Sequence, residues 1–117
     1  PEYNSSITGV LKNAIDWASR PALAEKPLEP FSGKLALLLA ASPGAFGGIR
    51  GLPISRLILS NLGTMVLPQQ LAISRANEAF TPEGRLKDAK QQQTLEKMVE
   101  ALLSTIERLW NPEPALK

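Results

Sequence analysis

Between residues 7 and 19 the apolar side chains fall at Val10, Leu11, Ala14, Ile15, Trp17 and Ala18, with Lys12, Asn13 and Asp16 set between them. Steps of one, three and four predict an amphipathic helix from Ile7 to Ser19. Ser5, Ser6 and Thr8 are candidate N-caps before it, and Pro21 lies beyond its last turn. The segment PALAEKPLEPFSG, residues 21–33, carries three prolines and reads as an ordered connector.

The pattern then changes. KLALLLAAS, from Lys34 to Ser42, is continuously apolar and bounded by Gly33 and Pro43. A run this short and without alternation predicts a strand covered on both faces, as in a parallel sheet. Ala and Leu alone would also allow a helix, but the flanking breakers leave too little room for one. After the loop SPGAFGG, helical rhythm returns from about Ile49 to Leu62 through Leu52, Ile54, Leu57 and Ile58, and Gly63 is placed to end it. TMVLPQQLAIS, Thr64 to Ser74, is a second strand candidate; its Pro68 cannot donate to a ladder and predicts a sheet edge or a break. A loop with a Thr-Pro-Glu-Gly turn at residues 81–84 leads to a final helix from about Asp88 to Trp110. Leu95, Met98, Val99, Leu102, Leu103, Ile106, Leu109 and Trp110 form its apolar stripe, expected to be core.

Helix, strand, helix, strand, helix is an α/β order with parallel crossovers. Two strands cannot cover three helix stripes, so further strands are expected, preceding Pro1 or borrowed from another chain. The opening PEYN accordingly reads as the end of a strand, and the 117 residues as part of a single domain.

Composition narrows the chemistry. The chain has no Cys and no His, which removes thiolate nucleophiles, disulfides, Cys or His metal sites and imidazole bases. Hydrophobic residues are 44% and charged residues 21%, an ordinary globular balance. Lys and Arg exceed Asp and Glu by only two and are scattered, so neither nucleic acid nor a membrane surface is an expected partner. No apolar run reaches the roughly 18 residues of a membrane span, and a cytoplasmic location is expected. An enzyme built from these residues would rely on an organic cofactor for the reactive atom.

Three segments carry a resemblance. PEYNSSITGVLKNAIDWASRP resembles the signature of the NAD(P)H-dependent FMN reductases, a flavodoxin-like family of flavin, quinone, azo-dye and chromate reductases. LLLAASPGAFGG resembles that family's next strand and flavin-side loop, and EAFTPEGRLKD its turn into the last helix. The resemblance implies a three-layer α/β sandwich with a parallel sheet in the order 2-1-3-4-5, of which this chain would hold the fourth and fifth strands and three helices. It implies that Pro1, Glu2, Tyr3 and Asn4 border one margin of the isoalloxazine ring of FMN. Ser42, Pro43, Gly44, Ala45, Phe46, Gly47 and Gly48 would border the other. The family's phosphate loop follows its first strand and has no counterpart in these residues. NADPH or NADH would donate hydride to the flavin and a small acceptor such as a quinone, azo compound or free flavin would take the electrons, in a homo-oligomer, dimer or tetramer.

Blander readings stand beside these. SPGAFGG read alone is a strand-to-helix turn. Tyr3 could be a packing aromatic. Trp17 is expected in the core or a subunit interface, and Arg50 and Arg56 as solvated surface arginines. Glu2 invites an acid/base role that hydride transfer does not require. The alternative for the whole chain is a non-catalytic flavodoxin-like module that has lost flavin and works by oligomerisation.

Overall fold

The computed structural model describes residues 2–21 and 26–110. In chain order the elements are β1 (Glu2–Tyr3), β2 (Ser6–Ile7), α1 (Gly9–Ala18), β3 (Leu35–Ala41), α2 (Gly51–Asn61), β4 (Met65–Ile73), α3 (Ala76–Ala79) and α4 (Ala89–Trp110). The predicted alternation of three helices and two strands is present. To it the structure adds the hairpin β1–β2 and the short α3, which lies inside a segment expected to be a loop. The expected connector at 21–33 is described only in part, because residues 22–25 lie outside the described residues.

β3 and β4 pair in parallel, with α2 as the crossover between them. Leu35 faces Met65 and Ala36 faces Val66; beyond a shift, Leu38 faces Gln70 and Ala41 faces Ile73. The break falls where Leu67, Pro68 and Gln69 stand opposite Leu37, as the missing N–H of Pro68 requires. Arg56 of α2 covers the break. Its guanidinium donates to the carbonyls of Val66 (3.4 Å), Leu67 (2.7 Å) and Pro68 (3.3 Å), and to Gln70 Oε1 (3.4 Å). Arg56 is therefore not a solvated surface arginine: it satisfies acceptors that the bulge takes out of the ladder.

The helix ends follow the local signals closely. Thr8 Oγ1 accepts from Leu11 N at 3.1 Å, so of the three candidate caps Thr8 serves. The helix begins at Gly9, not Ile7, because Ser6 and Ile7 are paired with Tyr3 and Glu2. α2 closes in a Schellman motif: Gly63 N donates to Ser60 O (3.1 Å), Thr64 N to Leu59 O (3.0 Å), and Gly63 has φ +85°. Asp88 Oδ1 accepts from Lys90 N (2.9 Å) and Gln91 N (3.0 Å) and so caps α4.

The core lies between the sheet and the helices: Leu38, Leu52, Leu67, Ile73, Leu86 and Met98 are buried. Three expectations about burial are corrected or narrowed. β3 is not covered on both faces along its length, since Leu39 is half exposed. The α4 stripe is not all core: Met98 is buried while Val99, Leu103, Ile106, Leu109 and Trp110 are exposed. Trp17 is not core either, at 73% exposure. The physical reason is common to all three, since two strands offer too little sheet surface to cover the apolar stripes of α1, α2 and α4.

Candidate functional site

The first loop is a two-residue hairpin. Glu2 pairs with Ile7 and Tyr3 with Ser6, and the residues between, Asn4 and Ser5, have φ of +50° and +64°. Positive φ at both central positions is the type I′ turn, whose twist suits a tight hairpin. Asn tolerates this conformation better than most residues; Ser does so less readily. Tyr3 and Asn4 stand exposed on the crest, Glu2 is half-buried, and Pro1 lies outside the described residues.

The second loop leaves the carboxyl end of β3 and is bound to the end of β4. Ser42 N donates to Ile73 O (3.0 Å), Ala76 N to Ser42 O (3.0 Å) and Arg75 N to Gly44 O (3.2 Å). Gly44 N donates to Ser42 Oγ at 3.3 Å. Gly47 has φ +62°, and a Cβ there would stand 2.6 Å from the carbonyl carbon of Ile73 and 2.7 Å from Ser74 N. Only glycine fits. Gly48 has φ +83° with a Cβ position 3.1 Å from Ala40 Cβ, whereas Gly44 would meet nothing closer than Ser42 Oγ at 3.7 Å. Gly47 and Gly48 are thus required by the packing of the chain on itself. Pro43, Ala45 and Phe46 form an exposed crest, and the amides of Ala45, Phe46 and Gly48 have no acceptor among the described residues. The guanidinium of Arg50 lies 4.3 Å from the centre of the Phe46 ring.

Two contacts bring the loops together. Gly51 N, the first amide of α2, donates to Glu2 Oε2 at 2.9 Å, and Arg50 Nη1 donates to Ser5 Oγ at 3.3 Å. Behind them a cleft of about 240 Å³ separates the hairpin from β3, lined by Ile7, Leu11, Leu39 and Leu52 among others. That is below the roughly 300 Å³ at which small-molecule pockets usually begin. Outside this cleft stand the exposed crests and the amides of Ala45, Phe46 and Gly48. They can present backbone donors and two aromatic surfaces, Tyr3 and Phe46, to a flat polar ligand.

Of the residues picked out in the sequence, Glu2, Tyr3, Asn4 and Ser42 to Gly48 lie in two loops that meet at the start of α2. Ser5, Arg50 and Gly51 were not picked out as site residues, yet they make the junction. Contacts across 45 and 49 positions leave no local pattern to read.

The profile of the NADPH-dependent FMN reductase family matches residues 1–78. An NAD(P)H-dependent FMN reductase of Pseudomonas aeruginosa is 46% identical over 110 residues, 93% of this chain and 57% of that protein. A quinone reductase of Escherichia coli is 46% identical over 67 residues, 57% of this chain and 33% of that protein. The chain thus spans about half, or less, of the length of the relatives it matches. Among solved structures, FerB of Paracoccus denitrificans, a flavoenzyme NAD(P)H:(acceptor) oxidoreductase, superposes with a TM-score of 0.71 at 32% identity, covering 92% of this chain and 58% of that one.

Proposed function

The chain belongs to the NADPH-dependent FMN reductase family, and from that premise we propose that it forms the ring-side part of a site that passes hydride from NADPH or NADH to FMN and on to a small acceptor such as a quinone. The observation that carries this reading is the junction of the two loops at the start of α2, with the amides of Ala45, Phe46 and Gly48 unengaged beside the exposed Tyr3 and Phe46. A bound FMN supplies the atom that takes up and hands on the hydride. The loops bind and tune it. The amides of Ala45, Phe46 and Gly48 would stabilise negative charge as it develops on the ring, and preorganised donors of this kind need no rearrangement as it does so. The carboxyl end of a parallel strand is also where open α/β sheets hold their ligands.

We read residues 1–117 as part of one flavodoxin-like domain, and exposed Val10 and Trp17 on α1 and Leu103, Leu109 and Trp110 on α4 support self-association as a dimer or tetramer. Among the described residues no helix is long and apolar enough to cross a membrane; we propose a cytoplasmic location. The same exposed side chains support a second reading, an interaction module without flavin chemistry. A fluorescence titration of FMN with the purified protein separates the two, followed by quinone-dependent NAD(P)H oxidation. Micromolar or tighter binding with turnover is expected of a form of the protein that also carries the phosphate loop. Absence of binding by that form overturns the flavin reading in favour of the module.

A further inference from the structure

Resting on that reading, we infer that Glu2 is a positioning residue, whose carboxylate fastens the first ring-side loop to the helix that carries the second. Its geometry leaves little room for the acid/base role its chemistry invites. Glu2 Oε2 sits 2.9 Å from Gly51 N, a hydrogen bond whose amide is otherwise shared only with Gly48 O at a looser 3.3 Å. α2 needs such an acceptor. Its N-cap, Arg50, makes no side-chain cap, its first turn has no acidic residue, and Pro53 brings no N–H. An orphan amide at a helix start is satisfied by an oxygen from elsewhere, best by a charged one. Here the oxygen arrives from 49 residues away.

The hairpin needs the contact as much as the helix does. Two strands of two residues each do not hold their position alone. The remaining polar link to the second loop region, Arg50 to Ser5, is long and exposed. Glu2 thereby sets the separation of the Tyr3–Asn4 crest from the Ala45–Phe46 crest. Its carboxylate thereby occupies the first amide of α2.

The test compares Glu2→Ala, Glu2→Asp and Glu2→Gln in the form of the protein that also carries the phosphate loop, reading amide hydrogen exchange at Gly51, FMN affinity and the melting temperature. Glu2→Ala removes the acceptor and Glu2→Asp withdraws it by one methylene, whereas Glu2→Gln keeps a carbonyl acceptor of the same reach. Expected are exchange at Gly51 faster by about tenfold and FMN affinity weaker by about tenfold in the Ala and Asp variants, sizes typical of a lost helix cap. Glu2→Gln should restore most of both, with a melting temperature close to that of the unsubstituted protein. Should Gly51 exchange be indifferent to all three substitutions, the tether does not exist. Weakened FMN binding in Glu2→Gln equal to that in Glu2→Ala would instead make the carboxylate a direct ligand and overturn the positioning role. If the unsubstituted protein binds no FMN while Gly51 exchange still responds as expected, the tether stands and the flavin reading fails.

Discussion

The hairpin at residues 2–7 and the glycine loop at residues 42–50 meet at one end of the molecule, yet they hold their shapes by opposite means. The glycine loop is set from within: Gly47 packs against the backbone of Ile73 and Ser74 so closely that no side chain fits, and Ser42 and Gly44 are hydrogen-bonded to the end of β4. The hairpin is set from without. It carries two non-glycine residues, Asn4 and Ser5, at positive φ, and is held by Glu2 and Ser5 reaching the region of α2. A loop of the first kind tolerates almost no substitution at its contact glycine. A loop of the second kind has slack, and substitution can even improve it.

The sharpest way to break this comparison is Gly47→Ala. The left-handed backbone and the collision with Ile73 together predict a loss of about 3 kcal/mol or more in stability, measured by denaturant unfolding. A loss under about 1 kcal/mol would mean that the loop can lift from β4, and the contrast would fall. Next in size is Thr8→Ala, which removes the cap where the hairpin hands over to α1; about 1 kcal/mol should be lost in the same assay. Ser5→Gly acts in the other direction. It relieves the positive φ at the second turn position, and although Arg50 loses its 3.3 Å partner, stability should rise by about 0.5 kcal/mol, seen as a higher melting temperature. Smallest is Asp16→Asn, which dissolves the exposed Lys12–Asp16 pair (2.8 Å) one turn beyond the hairpin; a change within about 0.5 kcal/mol is expected, marking how little that surface contributes.

The local elements were readable because their causes are local. Gly33 and Pro43 bound an apolar run and confine it to a strand; Gly63 supplies the positive φ that a Schellman motif demands; Pro68 forces a break in the ladder that contains it. The hairpin was not readable. Asn4–Ser5 lacks the glycine that usually announces a type I′ turn, and the helical rhythm starting at Ile7 draws Ile7 into α1 on paper and leaves Ser6 as a candidate cap. Burial was misread along α4, and Trp17 stands exposed in place of joining the core, for another reason: periodicity says which side of a helix is apolar, not whether a surface is there to receive it.

The resemblance of PEYN and SPGAFGG to flavin-side loops gathered the site residues, but the sequence could not say what each does there. By itself it determined the order of helices and strands, their stop signals and that these residues include no thiol or imidazole, since each follows from residue type and spacing within a few positions. Tertiary structure alone decided that Glu2 caps α2, that Arg56 covers the bulge at Pro68, and that Gly47 answers to the backbone of Ile73. Those contacts join residues up to 49 positions apart, and the hydrogen bonds and close approaches that define them exist only once the chain has folded.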